Sequence, residues 1–266
     1  MIHPTAVISG TAEIDPSARI GPFAVIDEGV RIGPGCVIGP YVYVTGRATL
    51  GARNRIHAGC VIGDTPQDLK YKDAPTSVAI GDDNVLREHV TVHRSNQVDK
   101  PTTLGSHNFL MQHCHVAHDC SIADHVVVAS GTMLGGHVHL ADRAFLSANC
   151  LVHQFVRVGT LAMMQGGSAI SKDLPPYCMI RRGDLNLLCG LNTVGLRRAG
   201  IGPQDRQELK QLYHQLFRPS ERFNDAVAAA RAGAFGAVAG RLIEFVSATK
   251  LGICLDGGPR SSKVAG

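Results

Sequence analysis

Aliphatic side chains recur at intervals of six from the start of the chain: Ile2, Ile8, Ile14, Ile20, Ile26, Ile32, Ile38, Val44, Leu50, Ile56 and Ile62. The register resumes at Ile80, Leu86 and Val92, and again from Leu104 through Leu110, Val116, Ile122, Val128, Leu134, Leu140, Leu146, Val152, Val158, Met164 and Ile170. A helix repeats near 3.6 residues and a strand near 2, so neither explains this period. A short strand plus a turn, six residues in all, forms one side of a prism. Three such units close a coil, and stacked coils make a parallel β-helix. Each coil then buries its aliphatic residues against coils about 4.8 Å above and below, and stability is roughly a sum of nearest-neighbour terms.

The slot four residues after the aliphatic position is usually small: Ala6, Ala12, Ala18, Ala24, Val30, Cys36, Val42, Ala48 and Cys60, with Cys114, Cys120 and Cys150 in the same slot later. A prism corner leaves room for little more. Two polar, proline-bearing stretches lose the pattern, residues 64–79 (DTPQDLKYKDAPTSVA) and 94–103 (RSNQVDKPTT), and are predicted as loops thrown out from the prism. The repeat ends near residues 172–176. Leu209, Leu212, Leu216 and Phe217 then have helical spacing, with Pro203 at the start and Pro219 as a stop, and residues 226–230 and 238–246 suggest further helices. The predicted organisation is a β-helix over 1–176, an α-helical domain over 177–255 and a loose tail over 256–266.

Composition sharpens this. Aromatics are 5% with no Trp, while Gly reaches 30 copies, which suits a thin repetitive core. Apolar residues at 44% argue against disorder. A net charge of +4 permits anionic ligands without marking a nucleic-acid binder. No apolar run approaches the roughly 18 residues that span a bilayer, and the N-terminus lacks the basic-then-apolar pattern of a signal peptide. The eight Cys include no C-x-x-C pair, as expected for reduced thiols in a cytoplasmic protein.

Ten of the thirteen His lie between His89 and His153. Units beginning at Val116, Leu134 and Val152 are eighteen residues apart and stack on one face, and they carry His118, His137 and His153 outside the aliphatic and small slots. Asp119 sits beside the first. An imidazole with an ordinary pKa of about 6.5 accepts a proton near neutrality, and a carboxylate can orient it as a base for a hydroxyl or amine. The same residue types suit zinc, and spacing alone does not separate the two.

The repeat, QDLKY at 67–71, TVHR at 91–94, HVAHDC at 115–120, GGHV at 135–138, VHQF at 152–155, DLPPY at 173–177 and GLRR at 195–198 together resemble one family. It is the acyl-[acyl-carrier-protein]–UDP-N-acetylglucosamine O-acyltransferases of lipid A synthesis, and the resemblance runs over roughly the whole chain. It implies a left-handed parallel β-helix with a C-terminal helical domain, and a homotrimer with active sites between subunits. The implied reaction moves a 3-hydroxyacyl group from acyl carrier protein to the 3-hydroxyl of UDP-N-acetylglucosamine. The carrier thioester is a co-substrate and no cofactor or metal is implied. His118 would be the general base, Asp119 its orienting partner, and the Gly136 N–H the oxyanion donor.

By the same matching Gln67 would bind substrate, Asp68, Lys70 and His93 would approach it from one subunit, and His137, His153, Gln154, Asn192 and Arg198 from its neighbour. Gly166 matches a position that bounds the acyl groove, so its small size implies room for a longer chain. Arg181, Arg182, Arg197, Arg198 and Arg206 form a basic cluster that suits an acidic acyl carrier protein. One segment departs from the family: RRGDLNLL at 181–188 has Gly183-Asp184-Leu185-Asn186 in place of a G-N-x-A-like stretch. That opens the alternative of a 3-amino UDP-sugar acceptor. Two other readings compete: a γ-carbonic-anhydrase-like hydratase with a zinc shared between subunits on His113 and His118, with His137 close, and a non-catalytic trimeric β-helix scaffold.

Overall fold

A computed structural model describes residues 1–183, 185–218 and 222–256. The six-residue units fold as two-residue strands such as Val7–Ile8, Glu13–Ile14 and Arg19–Ile20, each followed by a turn. Successive strands fall on three faces in rotation, building parallel sheets of nine, eight and eleven strands. The eleventh-hour exception is the antiparallel pairing near the C-terminal end of the third face. Each residue lies against the one eighteen positions on: Val7 on Val25, Glu13 on Arg31, Arg19 on Val37. The aliphatic residue of each unit points inward, and from Ile20 to Ile170 this column is buried, each side chain contributing about 1.5–3 kcal/mol.

The turn sets the rest of the pattern. The third residue after the aliphatic position takes a left-handed conformation almost everywhere, as at Phe23, Arg53, His89, His113, Asp119, His137 and Phe155 (φ 56° to 67°). Gly, Asn, Asp and His tolerate that region best. Five of the ten clustered His (His89, His107, His113, His125 and His137) are in this slot, so much of the histidine density is turn chemistry. The small slot is filled mostly by buried Ala, Val and Cys, and at five turns by buried Asn54, Asn84, Asn108, Thr132 and Ser168. All eight cysteines are free, and burial pushes the Cys60 and Cys120 thiols up to about 12. They are packing residues, as the repeat implies.

The two insertions leave from one corner, between the first and second faces. Val61–Asp64 still pairs with Thr91–His93, and Thr91 with His115, so the stack continues beneath them. Regular pairing resumes at Val78 and Thr102, slightly earlier than the polar stretches suggest.

After the repeat the structure departs from the expected helical domain over 177–255. Cys178–Ile180 and Leu187–Leu191 are strands that extend the third face, and Leu255–Asp256 returns to its end. Buried Cys178, Ile180 and Leu188 explain this, because they cover an edge that would otherwise be open. The helices are α1 (Thr193–Arg198), α2 (Pro203–Phe217), α3 (Phe223–Ala232) and α4 (Ala237–Ser247). Pro203 begins α2 as expected, and Leu209, Leu212, Leu216 and Phe217 are buried. Pro219 and residues 257–266 of the expected tail lie outside the described residues. Buried Asp173 accepts hydrogen bonds from Arg157 Nε (2.9 Å) and Nη2 (2.7 Å) and from Thr249 Oγ1 (2.9 Å). Arg157 also donates to the Phe245 carbonyl, which ties the helices to the last coils.

Candidate active site

The corner from which both loops depart also carries His118. Two residues after the aliphatic position, this corner stacks His118, Gly136 and Gln154; three residues after, it stacks Asp119, His137 and Phe155. The slots matter. Five other turns put Pro in the second slot (Pro4, Pro16, Pro22, Pro34 and Pro40), so the fold does not need the N–H of that position. The N–H of Gly136 is thereby free of any duty in the turn. A Cβ on Gly136 would lie 2.7 Å from the His118 ring at both Cε1 and Nε2. Glycine is what lets the imidazole lie over this backbone.

His118 Nδ1 is 2.7 Å from Asp119 Oδ2. Asp119 is nearly fully buried, its side chain only 2% exposed. Its carboxylate accepts from Ser95 Oγ (2.5 Å), the Asn96 N–H (3.3 Å to each oxygen) and Gln97 Nε2 (3.2 Å). Burial pushes this carboxyl up, but the hydrogen bonds from Ser95 and His118, the nearby His137 and the Asn96 N–H outweigh it and hold it below the ordinary range. An ionised carboxylate only accepts, so His118 carries its proton on Nδ1 and leaves the Nε2 lone pair free beside Gly136.

His137 reaches the same carboxylate, Nε2 to Oδ2 at 3.5 Å, and meets the His118 ring edge-on at 5.3 Å. Burial lowers its pKa against the pull of Asp119. Behind the pair, buried His93 meets His115 edge-on at 4.9 Å. Burial pushes His115 down to about 4 and lowers His93 as well. These imidazoles stay neutral next to the base.

A groove of about 590 Å³ runs from His118 along the first face. Gln67, His153, Gln154 and Gly136 line its polar end, and Met133, Leu151, Ala169 and Leu185 give it an apolar floor. Asp68 is held over the corner by Asn96 Nδ2 (2.8 Å) and by the Lys70 N–H (2.9 Å); chiefly that backbone bond lowers its pKa, with Asn96 and His118 adding to it against burial. Arg94 links the two loops, donating to the Tyr71 hydroxyl at 3.0 Å.

The placement of the expected residues differs from the sequence reading in several ways. His137, His153 and Gln154 lie on the same wall as His118 of their own chain. The three imidazoles do not form one row: His118 and His137 touch, while His153 lines the groove one coil further on and is exposed. The cause is the turn slot, which differs for each of the three. Asn192 and Arg198 do not join them. They line a separate groove of about 590 Å³ on the third face with Phe145, Met163 and Met179. Asn192 caps α1 through its Oδ1 to the Gly195 N–H (3.0 Å) and donates to the Leu161 carbonyl (2.9 Å). Gly166 lies in the turn before Ala169–Ile170, where a Cβ would sit 3.3 Å from the Ala148 carbonyl oxygen. Lys70 is exposed.

His113 is at a different corner from His118, stacked on His89 at 5.2 Å. His118, Asp119 and His137 do lie within 4.8 Å of one another. The 2.7 Å between Nδ1 and Oδ2 is nonetheless a hydrogen-bond distance; two ligands on a tetrahedral zinc stand about 3.3 Å apart. In the departing segment, Asp184 lies outside the described residues. Asn186 takes the Ser171 N–H (2.7 Å) on Oδ1 and donates to Ser171 Oγ (2.9 Å), so it fastens the hairpin to the last coil. Sequence reasoning missed Ser95, Asn96, Gln97 and His115. The first three lie in a loop it had singled out, and counting units across both interruptions would have put that loop on the His118 corner.

A family profile described as UDP N-acetylglucosamine O-acyltransferase, domain 2, matches residues 173–254. A bacterial transferase hexapeptide profile matches 29–64 and 101–136. The acyl-[acyl-carrier-protein]–UDP-N-acetylglucosamine O-acyltransferase of Syntrophobacter fumaroxidans is 43% identical over 254 residues, 95% of this chain and 98% of its own. That of Burkholderia lata is 40% identical over 258 residues, again 95% and 98%. The crystal structure of the Francisella novicida UDP-N-acetylglucosamine acyltransferase superposes with a TM-score of 0.92 at 35% identity, covering 97% of this chain and 95% of that one. The Arabidopsis enzyme gives 0.83 at 30% identity, covering 96% and 100%. The β-helix is of the left-handed kind. The similarity covers nearly the whole of this chain and of its relatives, and the chain belongs to the acyl-[acyl-carrier-protein]–UDP-N-acetylglucosamine O-acyltransferase family.

Proposed function

We propose that this protein transfers a 3-hydroxyacyl group from acyl carrier protein to the 3-hydroxyl of UDP-N-acetylglucosamine, the first step of lipid A synthesis. The observation that carries the reading is the oriented base: His118, protonated on Nδ1 toward buried Asp119, with Nε2 beside the glycine whose N–H the turn leaves free. Nε2 takes the proton of the sugar hydroxyl as its oxygen attacks the thioester carbonyl. Negative charge on the carbonyl oxygen is stabilised by the Gly136 N–H. Collapse breaks the C–S bond, and His118 returns the proton to the carrier thiolate. No covalent acyl-enzyme and no cofactor enter this scheme. Asp68, Gln67, Lys70, His93, His137, His153 and Gln154 hold and orient the sugar nucleotide and donor, and the apolar floor takes the acyl chain, with Gly166 leaving room at its end.

Asn192 and Arg198 fit the scheme only across subunits, which supports a homotrimer in which a third-face groove closes the first-face groove of the next copy. Arg198 then suits the nucleotide phosphates. Arg197, Arg206 and Lys210 line a further groove of about 410 Å³ beside α1 and α2, whose charge complements an acidic carrier. Among the described residues no helix is long and apolar enough to cross a membrane, and the reading is of a cytoplasmic enzyme. The test offers UDP-N-acetylglucosamine and its 3-amino analogue to the purified protein with hydroxyacyl carrier donors of several lengths. An ester product from the former is expected. Amide formation from the analogue alone, or no product from either, overturns the reading.

A further inference from the structure

Between the Asp68 carboxylate and the His118–Asp119 pair lies one residue that touches all three, the first two through its side chain and Asp119 through its backbone: Asn96. Its amide Nδ2 donates to Asp68 Oδ2 at 2.8 Å and stands 3.3 Å from His118 Nδ1. Its backbone N–H points between the two oxygens of Asp119. Its Oδ1 is buried and has no partner. A carboxylate only accepts, so Asp68 alone decides that the NH₂ end faces the base and the oxygen faces away.

We propose that Asn96 is a positioning residue that locks Asp68 in register with the His118–Asp119 pair, so that Asp68 acts on the base as well as on the acceptor. This rests on the acyltransferase reading. Without Asp68, the amide turns over: Oδ1, orphaned in the native site, finds a donor in His118 Nδ1–H and competes with Asp119 for it. The imidazole is then drawn off the line that aims Nε2 at the sugar hydroxyl. Asp68 and Asn96 form one unit, and their effects on turnover are not independent.

A double-mutant cycle tests this. Steady-state kinetics are measured for the wild type, Asp68→Ala, Asn96→Ala and the double variant with UDP-N-acetylglucosamine and saturating hydroxyacyl carrier. Each single change is expected to lower kcat/KM about tenfold, the usual scale for losing a bond to a charged group. In the Asn96→Ala background, Asp68→Ala is expected to raise KM while leaving kcat within about twofold, whereas in the wild-type background it lowers kcat as well. Independent, multiplicative losses in kcat overturn the proposal.

The isosteric Asn96→Asp guards against misfolding. It sets a carboxylate among the groups facing His118, namely Asp68, Asp119, His93, His115 and His137, and favours the charged imidazole. The acidic limb of kcat/KM is expected to move up by about half a pH unit or more, and an unmoved limb overturns the proposal. If the wild type acylates neither sugar nucleotide, the acyltransferase reading fails by itself. The coupling is then read from diethyl pyrocarbonate labelling of His118 against pH: Asp68→Ala changes its rate only when Asn96 is present, and equal changes in both backgrounds reject the role.

Discussion

All three corners of the prism carry a stacked imidazole on the same backbone turn, His107 on His125 among them, and only one has the makings of a site. At the corner between the third and first faces, His89 and His113 stack at 5.2 Å with planes 6° apart. At the next corner His137 stacks on Phe155 at 4.4 Å and 9° in the same left-handed slot. The rings are alike; their surroundings are not. The corner between the first and second faces adds a second imidazole one slot earlier, a glycine above it that leaves space for the ring, and a loop whose Ser95, Asn96 and Gln97 cover the carboxylate. Histidine in the turn slot is a residue that tolerates positive φ. It becomes part of a base only where a neighbouring slot and an inserted loop supply the proton acceptor, the cover and the free N–H.

Breaking that contrast begins with the base. His118→Ala is expected to lower acyl transfer by at least about a hundredfold, the scale of general-base loss, with thermal unfolding unchanged, while His113→Ala lowers it less than twofold. Equal losses at the two corners would erase the distinction. Asp119→Asn keeps the shape but presents an amide that can favour the wrong tautomer, and kcat should fall by about ten- to a hundredfold. Gly136→Ala drives a methyl into the His118 ring, so kcat should fall about tenfold although the N–H remains. Gly166→Met should shift preference toward shorter donors, read as the ratio of kcat/KM between two chain lengths; an unchanged ratio removes Gly166 from the acyl groove.

The smallest effect concerns acid stability. Asp119 is held below the ordinary carboxylate range when folded, so its contribution is present above the unfolded-state pKa of about 3.9 and is lost as pH falls through the folded value. Urea midpoints measured from pH 6 down to 3 should therefore fall less steeply for Asp119→Asn than for the wild type.

Much of this was legible in the chain. The six-residue period alone determined the prism, its buried aliphatic column and its small corner slot, because a local repeat that stacks only on its neighbours leaves little for distant contacts to decide. The base pair was legible too, since His118 and Asp119 are adjacent in sequence and their unit was in register. The tertiary structure decided what period cannot. It showed how far apart three different slots hold their rings, and so that His118 and His137 touch while His153 stands apart. It extended the third face through Leu187–Leu191, because an open sheet edge recruits whatever apolar strand follows. It also folded Ser95, Asn96 and Gln97 over Asp119: an inserted loop has no period of its own, and its course is set by the buried carboxylate whose charge its donors satisfy.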